Sequence, residues 1–398
     1  MQTKTKTAVF QYTNVITVSL AHMIHDIYSS FLAPLLPFLI EKLGISYSMA
    51  GLLSVFQRLP SLLNPLVGVL ADRLSLKTFL IISPAITTVL MSLLGLAPSY
   101  TAAAVILIVM GISSTMFHVP APVIIRNLSG TRIGMGMSYY MLGGELARTL
   151  GPLIILGAVS LWGLEGTWKL IPFGLLASVL LHWRLQKARV QHHSESKRPH
   201  LLGTIKGLTP FFLTLTAVVF FRALTKNAFT TFLPTFMASK GASVWTGGGL
   251  LSILQFSGAA GTFLSGSISD KIGRKTTLII IAVAAPLLMW IFIVSGTLIR
   301  IPVLILLGFF IFASGPVLLA LVQDKGSGRP ALINGIYMTI NFSAGSAVSV
   351  LIGAMGDLWT LETSFKIAAL VSLLGIPAVL LLPGRGKTTG IEISGGHD

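Results

Sequence analysis

Leu161-Trp162-Gly163-Leu164-Glu165-Gly166-Thr167-Trp168-Lys169 returns 197 residues later as Leu358-Trp359-Thr360-Leu361-Glu362-Thr363-Ser364-Phe365-Lys366. Two further anchors keep nearly the same spacing. Pro37 to Gly44 matches Pro234 to Gly241 at 197, and Gly68-x3-Asp72-Arg73 matches Gly266-x3-Asp270-Lys271 at 198. Constant spacing over three anchors marks a duplicated chain. Between the anchors lie apolar runs, at about 10–40, 48–71, 76–97, 101–126, 133–160 and 166–186 in the first copy. The second copy has them at about 208–238, 245–268, 275–297, 301–323, 330–356 and 361–383. Each run is close to the roughly 20 apolar residues that carry a helix across a bilayer. The expected fold is an all-α membrane protein of twelve transmembrane helices in two six-helix pseudo-symmetric bundles, residues 1–186 and 208–384. A polar linker at 187–207 joins them, and 385–398 form a tail.

Composition agrees. Of 398 residues, 53% are hydrophobic and only 10% charged, against about 25% charged in a soluble domain. The net charge of +16 does not point to nucleic acid, because Lys and Arg sit in short clusters between apolar runs and no polar domain carries a phosphate-binding face. The clusters set orientation instead. Lys42, Lys169, Lys240, Arg300 and Lys366 fall on one side and nineteen Lys and Arg on the other, with both termini and the linker. By the positive-inside rule that side is cytoplasmic. The compact loops suit a bacterial inner membrane. The chain has no cysteine, which removes disulfides and thiolate chemistry. The first run contains His22, His25 and Asp26 and continues to about Ile40. It is too long and too polar for a signal-peptide core and reads as a retained span.

Gly266-Ser267-Ile268-Ser269-Asp270-Lys271-Ile272-Gly273-Arg274-Lys275 resembles the complete loop signature of the major facilitator superfamily. Gly68 to Lys77 resembles it with Ser75 and Leu76 in place of Gly-Arg. Within that superfamily, His22-x2-His25-Asp26-x-Tyr28 with Leu35-Leu36-Pro37 resembles the fosmidomycin-resistance group of efflux transporters. Phe117-His118 with Pro120, and Gly143-Gly144 with Gly151-Pro152, are similar to it as well, although Val119 interrupts the family's Phe-His-Pro. The resemblance implies alternating access between two halves and export in exchange for protons. It also implies a cytoplasmic gate built from the loop motifs, here Asp72, Arg73, Arg126, Asp270, Lys271 and Arg274. The glycines of the fifth span permit close helix packing; packing alone, with no bearing on direction, is the other reading.

Charges inside spans are costly, roughly 2.5–3.5 kcal/mol each even on insertion scales, and so mark function. Asp26 and His22 share a helix face at i,i+4. Asp26, with His22 and His25, is a candidate proton carrier, or else a carboxylate permanently paired with a histidine or Arg58. Glu145 and Arg148, three apart, form a fixed intrahelical pair or separate into a second proton site and a substrate ligand. Arg222 and Lys226 are like charges one turn apart and no carboxylate lies within a second-half span, so relief is expected from the first half or from an anion. An anionic substrate is the preferred reading and an interfacial snorkel the other. By the repeat offset both would face the cavity between halves. His118 either caps carbonyls freed by Pro120 or acts as a ligand or relay. Tyr28, Tyr140, Asn227 and Asn341 could hydrogen-bond substrate or hold helices together.

The expectation is a secondary active transporter, not an enzyme. It would be a monomer without cofactor or metal, exporting a small anionic or amphipathic compound such as a phosphonate-type antibiotic by proton antiport. Proton-coupled uptake of an anionic metabolite is the alternative.

Overall fold

The computed structural model describes residues 10–63, 76–130, 132–185, 201–324 and 330–382. In the first half the helices are α1 (Tyr12–Ser29), α2 (Leu32–Leu43), α3 (Tyr47–Arg58), α4 (Leu76–Leu93), α5 (Tyr100–His118), α6 (Ala121–Leu128), α7 (Ile133–Trp162) and α8 (Ile171–Leu185). The second half has α9 (Leu201–Ser239), α10 (Val244–Ile272), α11 (Arg274–Val294), α12 (Thr297–Asp324), α13 (Pro330–Leu358), α14 (Leu361–Ser372) and α15 (Gly375–Leu380). Two expected spans are broken near prolines: α1 gives way to α2 just before Pro34, and α5 to α6 at Pro120, where a missing N–H and ring clash interrupt the ladder. α9 starts at Leu201, seven residues inside the expected linker.

Among the described residues, nine helical stretches are long and apolar enough to cross a membrane. The other three expected spans have local reasons to fall short of that test. The run of α3 enters residues 64–75, which are not described; α8 has 15 residues; α10 is rich in Gly, Ser and Thr. Large apolar side chains such as Trp183, Phe173 and Leu298 lie exposed on the outside, as suits a surface solvated by acyl chains. Helices are the element for that setting because they satisfy every backbone group internally.

The repeats in the sequence have structural causes. Gly44 and Gly241, matched at 197, both take the left-handed conformation, with φ of +59° and +77°. This ends α2 and α9 where a side chain would be strained. Lys42 donates to the Gly95 carbonyl at 2.9 Å and to the Glu165 carboxylate at 2.9 Å. The second copy repeats this pair as Lys240 with Glu362, and Lys366 adds a bond to Glu362 at 2.6 Å. The recurring Leu-Trp…Glu…Lys stretch thus pins each half's last span to the end of its first. Lys42 also holds the Glu165 carboxyl below the usual carboxylate range by hydrogen bond and charge.

The halves meet chiefly through α3 against α13, α7 against α10 and α2 against α9. We call the end where α2 meets α3 and α13 meets α14 the far end, and the end where α8 finishes and α9 begins the linker end.

Candidate functional site

Inside the first half, three histidines converge on one carboxylate. Asp26 Oδ2 lies 3.2 Å from His22 Nε2, and Oδ1 lies 2.9 Å from His25 Nδ1 and 3.2 Å from His118 Nε2. His22 and Asp26 meet because they stand one turn apart on α1; His118 arrives from the end of α5. Phe117 stacks on His25 at 4.6 Å, and Tyr140 of α7 on His22 at 4.0 Å. Gly144 makes room for this: a Cβ there would stand 2.6 Å from His22 Cε1. The glycines of the fifth span therefore pack α7 onto α1.

Hydrogen-bond directions limit where protons sit. His22 Nδ1 faces the Tyr140 carbonyl at 2.8 Å, which can only accept, so that nitrogen carries a hydrogen. Ser113 donates to the Ser83 carbonyl at 2.9 Å, so Thr87 donates to Ser113 and accepts from His25 Nε2 at 3.1 Å. His118 is satisfied as a neutral ring, accepting from the Tyr140 hydroxyl at 3.3 Å and donating to Asp26. Two contacts, His22 Nε2 to Asp26 and His25 Nδ1 to Asp26, then each need one further proton. The cluster has a place for two protons beyond neutral rings and a carboxylate.

A second group of charges lies between or near the halves. Glu145 Oε1 pairs with Arg148 at 3.4 Å, while its buried Oε2 has no hydrogen-bond partner among the described residues. Arg58 ends α3 and faces Gly345 of α13. Lys226 sits over the Phe312 ring at 5.2 Å, within electrostatic reach of Arg222, Arg58, Arg148 and Glu145. Neither Arg58 nor Lys226 has an ion pair among the described residues. Among the described residues, Arg58, Arg148 and Lys226 gather here around a single carboxylate, Glu145.

Several expected roles shift. Asp26 pairs with histidines and not with Arg58, and His118 belongs to the Asp26 cluster. Arg222 lines a small cavity inside the second half, among α9, α11, α12 and the last span, rather than the space between halves. It donates to Ser314 at 3.0 Å and to Asn341 at 2.8 Å. Asn227 donates to the Gly345 carbonyl at 2.5 Å and to Ser349 at 3.0 Å, holding α9 to α13. The Tyr28 hydroxyl is committed to the Leu170 carbonyl at 2.7 Å. Each of these bonds ties a side chain of α9 or α1 to a neighbouring segment of its own half. Of the gate residues, Asp270 pairs with Arg274 within its own loop at 2.6 Å, and Lys271 is exposed. Gly273 at φ +93° makes the turn between them. Asp72 and Arg73 lie outside the described residues. Arg126 is on α6, and its side chain is likewise not described.

The far end holds contacts that the sequence did not announce. Asp357 of α13 accepts from the backbone N–H of Tyr47 at 2.6 Å and of Ser48 at 2.9 Å, and from the Ser48 hydroxyl. It caps the first turn of α3 from the opposite half. Trp245 of α10 donates to Ser160 of α7 at 2.8 Å. Adding 197 to Ser48 gives Trp245, and to Ser160 gives Asp357. The two latches are the same contact repeated. Beneath them Gly51 and Gly248, also matched, admit Ser349 and Leu156 of the facing helix.

A profile of the Major Facilitator Superfamily matches residues 18–350. The chain is 26% identical over 388 residues to the fosmidomycin resistance protein of Escherichia coli (strain K12), covering 93% of each. It is 22% identical over 381 residues to the uncharacterized MFS-type transporter YfnC of Bacillus subtilis (strain 168), again covering 93% of each. In fold it is similar to the nucleoside transporter NupG, with TM-score 0.73 and 16% identity over 93% of this chain and 100% of that one. The xylose transporter XylE from E. coli, in an inward open conformation, gives 0.73 and 14% over 96% and 98%. With duplicated halves, a turn glycine in the loop motif and a profile match across most of its length, the chain belongs to the Major Facilitator Superfamily.

Proposed function

We propose that this transporter exports a small anionic compound in exchange for protons, by alternating access. The observation that carries the reading is the excess of cations: Arg58 and Lys226 stand at membrane depth without an ion-pair partner among the described residues. A charge in that position is costly unless a counter-charge arrives. The closed far end and the loop charges support a site approached from the linker end, which the positive-inside rule assigns to the cytoplasm of a bacterial inner membrane. The resistance named in the E. coli relative supports export.

Proton handling falls to Asp26 with His22, His25 and His118, with Glu145 as a second carboxylate. α7 connects the two activities. Its Tyr140 holds His22 and His118, and Glu145 and Arg148 follow within about two turns. Protons added at Asp26 loosen or tighten the seating of α7 against α1 and so act on the anion ligands of the same helix.

The test uses purified protein in liposomes with an imposed pH gradient and methylphosphonate as probe. Asp26→Asn is expected to keep methylphosphonate binding and lose gradient-driven accumulation; Lys226→Gln is expected to weaken binding itself. Gradient-driven transport undiminished in Asp26→Asn would overturn the proton assignment. Unchanged binding in both Lys226→Gln and Arg58→Gln would overturn the anion site.

A further inference from the structure

A cavity of about 1570 Å³ runs between α7, α10 and α12. Its volume exceeds the roughly 300–1,000 Å³ of ordinary small-molecule pockets. Met141, Leu142, Phe256, Phe263 and Leu306 line it, and Glu145 is part of its wall. Phe256 and Phe263 are 63% and 80% exposed, and Met141, Leu142 and Leu306 about half exposed. This apolar wall lies at the seam between the halves, the repeat interface at which secondary transporters place substrate. The cavity is not an independent compartment. Glu145 pairs with Arg148, and both lie within electrostatic reach of Lys226. Glu145 is the charged side chain of the wall, and through its pair with Arg148 the apolar space borders the cation group. Toward the far end it is closed where Leu156 meets Gly248 and Trp245 meets Ser160.

We propose that the transported anion is an amphiphile, its charged head at Arg58, Arg148 and Lys226 and its apolar body in the cavity between α7 and α10. The proposal rests on the anion reading above and names its substrate class. Charge complementarity fixes the orientation. A long apolar chain alone finds nothing at the cation end, and a bare anion leaves the phenylalanine wall uncovered. An amphiphile satisfies both with one molecule and can enter sideways from the lipid.

Binding of methyl-, butyl-, octyl- and dodecylphosphonate to the full chain in lipid nanodiscs tests this, with octanol as the neutral control. Affinity is expected to rise about three- to fourfold per methylene until the cavity is filled. Leu142→Trp and Leu306→Trp, which fill the cavity from positions about half exposed, should flatten that series. Lys226→Gln should lower affinity for every phosphonate and leave the chain-length slope intact. A slope equally steep in the tryptophan variants, or octanol competing as well as octylphosphonate, would mean that bilayer lipid alone fills the cavity and would overturn the proposal. Methylphosphonate binding without any chain-length gain sinks the amphiphile and spares the anion site. Failure of every phosphonate to bind sinks both.

Discussion

Asp357→Asn removes a charge from the far-end latch with little change of shape. The carboxylate accepts two backbone N–H groups of α3 at 2.6 and 2.9 Å and the Ser48 hydroxyl. A hydrogen bond to a charged group contributes about 1.5–3 kcal/mol, and an anion at a helix N-terminus about 0.3–1 kcal/mol. Asp357 is exposed, so solvent screens part of this, and Asn retains one acceptor oxygen. A loss of about 1–2 kcal/mol is the reasonable figure, which shifts the closed-to-open ratio about 5- to 30-fold. The chain lacks cysteine, so a single introduced thiol reports without background. Ser349 is 1% exposed and packs against Gly51 at the closed interface. In the Ser349→Cys background, a membrane-impermeant maleimide should label the Asp357→Asn variant about 5- to 30-fold faster, the labelling rate following the open fraction. Trp245→Phe, which deletes the matching neutral bond, should give about fivefold for a thiol at Leu156, which is 1% exposed against Gly248 on the other seam. Equal labelling rates with and without Asp357 would refute the latch.

Gly51→Ala should also open the far end: its Cβ would stand 2.6 Å from the Ser349 carbonyl, a backbone atom that cannot step aside. Overpacking of this kind costs about 1–3 kcal/mol, visible in the same labelling assay and in a lower melting temperature. Gly144→Ala should push α7 away from His22 and abolish the response of transport to a pH gradient while the protein remains assembled, as size-exclusion chromatography would check. Glu362→Gln should lower the melting temperature more than Glu165→Gln, because Glu362 ties Lys240 and Lys366 and Glu165 ties Lys42. Since Lys42 depresses the Glu165 pKa, its stabilisation is present above the ordinary carboxylate range. It disappears as pH falls through the depressed value, so Glu165→Gln and wild type should converge in acid.

The duplication was legible because its anchors answer local needs that recur in each half: a left-handed glycine after α2 and α9, and a lysine and glutamate that fasten one span to another. The pairing of His22 with Asp26 was legible from helical spacing alone. The arrival of His118 at the same carboxylate was not, because rotation of α5 against α1 is set by packing across helices. Arg222 misled for a related reason. The offset correctly placed it opposite His25, but His25 itself points into its own bundle, against Thr87 and Phe117, and Arg222 does the same. The far-end latches escaped notice because serine, tryptophan and aspartate at matched positions share no chemistry that a single chain would flag.

That mismatch between the two latches has a mechanical consequence. Across the pseudo-twofold axis, one seam is fastened by an ionic cap and the other by a single neutral bond between an indole and a serine. Identical fasteners would part together and spread the halves evenly. Unequal ones make the α7–α10 seam yield first, while the α3–α13 seam serves briefly as the pivot. The first passage at the far end would then open at the side of the molecule where Glu145 and Arg148 stand, giving that opening a built-in sidedness that two exact copies could not provide.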